Sequence, residues 1–406
     1  MKKASLLDSF RRLFARGISR KVQPPPAQET ECLFASGTSP EKMLAVLERL
    51  REKGPIHCPA GKDERLVTDY ALARKVLREH HLFSSRPVSV IEELLIGADP
   101  PEHGRVRSLL QPRYSPRQLE TIHSFLETLV REKLDELARQ PSFDLVECLA
   151  IPLAVETNDR VLGIGKGISQ SLYTATPGGV FFQLDHLQDE TKFAFFEEFL
   201  LRDECPPMHE GTIPQLRKMV RAGTLTHAQA VRLSILLWIA GSGTVSVLLG
   251  NIGKDLLTNP AIRDRLRRQP DRIGHFVEEN LRLHPPAHQI ARTTTRPMEI
   301  GGQEIKEDEL LHISTIAANR DPAMFTNPNA YDLERSGSRH LSFGYGAHTC
   351  LGNQQARMLA WHFTTAFLPL ADRLEPNPTE PVVPFRSVDL CGYARYPVRW
   401  KQNTPA

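Results

Sequence analysis

Paired cysteines are missing from this 406-residue chain. Its six cysteines (Cys32, Cys58, Cys148, Cys205, Cys350 and Cys391) are scattered, with no C-x-x-C pair and no zinc spacing. A disulfide framework is therefore not expected, and a reducing compartment such as the cytoplasm fits this usage. Charge of one sign is also scarce. The formal net charge is only +3, and no basic stripe with interleaved aromatics is present, which argues against a nucleic-acid partner. Internal repeats and long low-complexity tracts do not occur, so a solenoid is excluded, and no secretory pattern is evident. One uncharged run, residues 233–253, is long enough to weigh as a membrane span. Four glycines, three serines, a threonine and an asparagine keep it only modestly apolar, and a buried central helix is the expectation.

The composition that is present, 40% hydrophobic and 24% charged, is ordinary for a globular protein, and the length is enough to bury a large core. Residues 1–21 differ from the rest, with seven Lys/Arg and a single acid, Asp8. Leu6, Leu7, Phe10, Leu13, Phe14 and Ile18 recur there at helical spacing. A basic amphipathic helix making weak contact with a membrane surface or partner, a transit-like leader and a frayed lead-in helix all fit. A proline-rich linker follows at 22–30, and residues 31–402 are expected to form a single domain. Helical periodicity predicts helices over 40–53, 70–80, 102–111, 116–139, 191–203, 226–257, 260–268, 271–283 and 352–370. Strands are predicted at 64–68, 298–306, 309–314 and 396–400, and the 161–190 segment gives no clear pattern. The fold class is therefore mainly α with small β-sheets.

One cysteine is set apart by its neighbours. Residues 340–352 read HLSFGYGAHTCLG, with Gly344, Gly346 and Gly352 around Cys350. Glycines at that density permit tight turns and close approach of a flat ligand. A helical pattern begins at once after Cys350, so a thiolate there would gain from the helix dipole and from free backbone N–H groups. A glycine-rich turn around a buried structural cysteine also satisfies the spacing.

The string Phe343-Gly344-x-Gly346-x-His348-x-Cys350-x-Gly352 resembles the haem-binding loop of the cytochrome P-450 superfamily. Glu279-Asn280-Leu281-Arg282 resembles the family's E-x-x-R helix, in which i and i+3 residues share a face and pair. Arg335 resembles the third member of that charge cluster, whose role is to fix the scaffold beneath the haem loop. Four basic residues resemble the positions that contact the haem propionates: His103 and Arg107 in DPPEHGRVR, Arg292 in HPPAHQIART, and His340; His348 is a further candidate. Ala240-Gly241-Ser242-Gly243-Thr244 resembles the oxygen-binding motif of the central helix, with small residues leaving room above the iron. The resemblance covers roughly residues 35–400. It implies the cytochrome P-450 fold, with haem b between a long central helix and the cysteine-loop helix, and Cys350 as the iron ligand.

One feature departs from the family. An acid usually precedes the threonine, and here Gly243 stands there, with Val245 replacing a frequent second hydroxyl. That puts the ordinary proton relay in doubt; Thr244, Ser242, water or a substrate group would have to substitute. The resemblance implies insertion of one oxygen atom from O2 into a lipophilic small molecule. Electrons would come from a separate ferredoxin or flavodoxin with its reductase, docking on the cysteine side near Arg357. A cytoplasmic monomer is the implied state. Peroxide-driven, coupling or desaturating chemistry, and a non-catalytic haem-binding role, are the competing readings. Candidate pocket segments are Val88–Leu95, Phe181–Leu184, Trp238–Val245 and Ala287–Ala291, and Phe181, Phe182, Phe193, Phe195 and Phe196 fit either pocket or core.

Overall fold

The computed structural model describes residues 40–58, 64–86, 94–165, 210–335, 339–385 and 390–401, and the single positions 169, 194, 196, 197 and 337. The basic segment at 1–30, nearly all of the helix expected at 191–203, and the pocket segments 88–93 and 181–184 lie outside the described residues.

A 32-residue helix, His227–Thr258, runs through the core. Its start is fixed by a capping box: Thr226 Oγ1 accepts from Gln229 N at 3.2 Å, and Gln229 Oε1 accepts from Thr226 N at 2.9 Å. Its end is set by Asn259, whose side chain caps the next helix, Pro260–Arg268. The most apolar stretch has the hydropathy of a membrane span but is 83% buried inside the protein, so it is a core helix. Helices Ile151–Leu162, Ile273–Leu283 and Asn353–Phe367 all pack against it.

A five-stranded sheet stands beside this bundle, in the order Ile56–His57, Glu64–Val67, Leu310–Ser314, Gln289–Thr294, Phe83–Ser84. Its second and third strands are parallel (Glu64 opposite Leu310) and the other pairs antiparallel. The register sets Arg292 across from Leu311 and brings Ser84 opposite Thr293. Its core of Val67, Phe83, Leu311 and Ile313 also packs Leu341 from the cysteine loop. A three-stranded sheet joins Ser142–Asp144, Pro397–Trp400 and Leu374–Pro376.

Three sequence expectations need correction. Residues 116–139 form two helices, Pro116–Glu120 and His123–Leu137, because Thr121 Oγ1 closes back on Gln118 O at 2.7 Å. Residues 298–306 form a hairpin, Met298–Ile300 with Gln303–Ile305. Its turn uses Gly301 and Gly302 at φ +58° and +77°, a turn shape that disfavours side chains. Helices Ile151–Leu162 and Thr212–Arg221 and the strand Gln289–Thr294 have no counterpart among the expected elements.

Candidate active site

The cysteine loop is a backbone device. Cys350 N donates to Phe343 O at 2.8 Å, closing the loop, and Asn353 Nδ2 donates to Cys350 O at 2.6 Å where the following helix begins. Gly344 and Gly346 have φ of +68° and +77°. A Cβ on Gly346 would sit 3.0 Å from Leu77 O and 3.2 Å from Arg78 Cα, so the loop presses on the end of helix Tyr70–Arg78 where only glycine fits. Burial pushes the Cys350 thiol up; a hydrogen bond from the Gly352 backbone and the charges of Arg107 and Arg357 pull the other way. Cys350 keeps part of its surface accessible, as do Phe343 and Gly344.

Beside this loop the structure gathers Arg107, Arg292, His103 and His348. The His103 and His348 rings lie 4.0 Å apart, and Ser85 Oγ is 3.3 Å from His348 Nε2. His103 lies at about 4 and His348 at about 3, chiefly through burial, with Arg107 and Arg292 adding to it. Burial likewise pulls Arg292 down to about 10. Arg292 Nη1 donates to the neighbouring Ala291 O at 2.7 Å, a carbonyl that brings no charge. Among the described residues, the carboxylate that reaches Arg292 and His103 is Asp99. Its oxygens already accept from Ser84 Oγ at 2.5 Å and Ser85 N at 3.0 Å. A buried guanidinium so poorly neutralised is costly on its own, and a second, Arg107, stands half-buried in the same cluster. The set fits a ligand carrying two carboxylates.

His340 departs from its expected place. Its Nε2 faces Glu278 Oε2 at 3.2 Å and its Nδ1 accepts from Ser342 N at 3.3 Å, so the ring is committed to Glu278. Arg357 is committed to the same carboxylate, at 2.6 and 3.1 Å, and lies 4.5 Å over the Phe343 ring; it is not a spare cation awaiting a partner. Burial would raise Glu278, but hydrogen bonds from His340 and Arg357 outweigh it and hold the carboxylate well below its usual range. Nothing in the sequence marks Glu278, because the E-x-x-R pattern falls on its neighbour.

Glu279, Arg282 and Arg335 come together as a buried cluster. Arg282 donates to both Glu279 oxygens at 2.7 and 2.8 Å, and Arg335 Nε adds a third bond at 3.0 Å. The remaining Arg282 donors reach Asn319 O, Pro328 O and Ala330 O, so this pair pins the 319–335 segment that leads to the cysteine loop.

On the central helix, buried turns flank one accessible stretch: Ala240 is exposed and Gly241 and Thr244 are half-buried. That accessible stretch falls on the segment that resembles the oxygen-binding motif. Thr244 Oγ1 donates to Ala240 O at 2.8 Å, which leaves its oxygen free to accept. Ser242, expected to share this site, instead is fully buried and accepts from Asn158 Nδ2 at 3.1 Å, because two residues along a helix turn it to the far side. Asn158 carries no sequence signal beyond its place in a run of four polar residues, 156–159, all of them buried. Phe196 is core, edge-on to Trp238 at 5.8 Å.

The chain matches the cytochrome P450 family model over residues 213–370. Erythromycin C-12 hydroxylase from Saccharopolyspora erythraea is 31% identical over 82% of this chain and 86% of that one. Among solved structures, a mutant of P450 EryK in complex with erythromycin B superposes with a TM-score of 0.81 at 28% identity, covering 92% of this chain and 100% of that one. The himastatin post-tailoring hydroxylase HmtN superposes with a TM-score of 0.79 at 26% identity, covering 93% and 100%. The paired-carboxylate fit, the cysteine loop and this likeness have one source: the chain belongs to the cytochrome P450 superfamily of monooxygenases, and its cofactor is haem b.

Proposed function

We propose that this protein hydroxylates a lipophilic specialised metabolite, using electrons from a separate ferredoxin or flavodoxin and its reductase. Residues 31–402 would act as one cytoplasmic, monomeric catalytic unit. The observation that carries the reading is the pairing of an accessible Ala240–Thr244 face with a cation cluster beside Cys350. The relatives support the substrate class, since one is a hydroxylase of erythromycin and another a hydroxylase involved in himastatin biosynthesis.

Haem supplies the oxidising chemistry when bound. Cys350 would ligate its iron, with the Gly352 backbone N–H hydrogen-bonding toward the sulfur to moderate its donation. Arg107 and Arg292 would grip the propionates, and neutral His103 and His348 would donate ring N–H groups to them. Thr244 would hold a proton donor in place: its own hydrogen is engaged by Ala240 O, so its oxygen accepts from an O–H above it. Gly243 can neither hold nor pass a proton, which favours water or a substrate hydroxyl as the last donor. The same feature supports the second reading, turnover with peroxide.

Two assays decide between them. Product formed from erythromycin-like macrolides with NADPH, ferredoxin and reductase is expected to exceed that with peroxide alone, and the reverse ranking selects the second reading. Thr244→Ala is expected to divert several-fold more reducing equivalents to peroxide, about fivefold on the scale of one lost neutral hydrogen bond. Cys350→Ala should lose the thiolate-shifted absorbance of the reduced, carbon-monoxide-bound protein.

A further inference from the structure

Behind the accessible face of the central helix, a side chain from another helix enters the backbone ladder. Asn158, on Ile151–Leu162, is 1% exposed. Its Nδ2 donates to Leu237 O at 3.1 Å, to Trp238 O at 2.9 Å and to Ser242 Oγ at 3.1 Å. In a regular α-helix those two carbonyls receive the N–H groups of Gly241 and Ser242. Asn158 therefore shares the acceptors of the two residues that lead into Thr244. A donor shared in this way competes with the ladder at that point while the helix stays continuous.

Gly241 is explained by the same contact. A Cβ there would lie 2.5–2.8 Å from Oδ1, Cγ and Nδ2 of Asn158, too close for any side chain. The glycine thus serves the buried side of the helix as well as the accessible side. The neighbouring residue strengthens the join: Asp159 Oδ1 accepts from Trp238 Nε1 at 3.3 Å, so two successive residues hold the same turn.

We propose that Asn158 is a positioning residue for oxygen activation. Its amide wedges the central helix at Leu237–Ser242 and, through the backbone, sets where the Ala240 carbonyl and the Thr244 hydroxyl stand over the haem. This rests on the placement of Thr244 given under the proposed function. Asn158 touches no substrate or cofactor; it acts through the helix.

The test uses the haem-loaded protein and a small set of variants. Asn158→Leu keeps volume and removes the donor. Amide exchange across 238–246 should slow about fivefold as the ladder closes, the scale of one neutral hydrogen bond, while exchange across 247–256 stays constant. The infrared stretch of carbon monoxide bound to the reduced protein should shift, as it should in Thr244→Ala. A merely structural Asn158 would lower the melting temperature without moving either signal, and that result overturns the proposal. If Thr244→Ala leaves the stretch unchanged, the helix face is not above the iron and the reading of the site fails instead. Should Asn158→Leu not fold, Gly241→Ala decides the matter. It should be tolerated alongside Asn158→Ala and not alone, and equal tolerance in both backgrounds refutes the wedge.

Discussion

Arg292 is the single residue at which the proposed cofactor site is most directly tested. It is 6% exposed, makes no ion pair with a carboxylate among the described residues, and is depressed by burial even though it sits near Asp99. Such a cation is kept because something anionic completes it. Arg292→Leu is expected to raise the rate at which haem is lost to an apoprotein acceptor by roughly ten- to a hundredfold, the equivalent of one charge-assisted hydrogen bond of about 1.5–3 kcal/mol. Arg292→Lys should recover only part, because a point charge replaces a planar fork. Unchanged haem loss in the leucine variant would remove Arg292 from the site. Arg292, His103 and Arg107 are legible only through the family resemblance of the segments that carry them; the strand that holds Arg292, Gln289–Thr294, gives no pattern of its own. His340 is not legible even so. Its partner Glu278 lies 62 residues away in the chain, and no local pattern foretells which of two histidines meets that half-buried carboxylate.

At the scale of elements, the buried charge cluster ties the Ile273–Leu283 helix to the 319–335 segment. Arg282 is 1% exposed and Glu279 3% exposed, so removing the acid leaves a guanidinium in the core with only carbonyls to meet it. Glu279→Ala is expected to cost about 3–5 kcal/mol, read as a fall in the urea midpoint, with haem content falling alongside. A shift no larger than a surface pair gives, under ~1 kcal/mol, would show that the cluster is not what fixes the loop. The helix that carries this pair is visible from its apolar stripe. Ile151–Leu162 is invisible for the opposite reason: it is buried on nearly every side, and Glu156, Thr157, Asn158 and Asp159 interrupt its apolar run. A helix whose polar residues point inward has no amphipathic signature to read. The feature that matters most on it, Asn158, is therefore the one that sequence periodicity hides.

Across the whole molecule, carboxylates that are wholly or partly buried set opposing pH dependences. Burial would raise Asp255, but the charge and hydrogen bond of His284, with Lys254 and Tyr331, hold it far below its usual range, and Glu278 is held down in the same way. Groups depressed in the folded state contribute stability above their unfolded pKa and lose it as pH falls, so acid should weaken the fold progressively below about pH 4.5. Asp159 runs the other way. Burial raises it to about 7, against 3.8 when unperturbed, with hydrogen bonds from Ser169 and Trp238 only partly offsetting this. The folded state then keeps a proton that the unfolded chain has released. Stability tied to Asp159 is full below pH 3.8 and is lost as pH rises through 7. A shift of that size corresponds to roughly 4 kcal/mol, an upper figure for a group next to other polar side chains. Asp159→Asn preserves the acceptor for Trp238 and offers a donor to Ser169, so it should be clearly more stable than the parent at pH 8 and nearly equal at pH 4. Thermal midpoints of both proteins across that range would settle it: parallel curves would mean that Asp159 is ionised in the fold, and that the buried face of the central helix carries a charge the packing does not otherwise require.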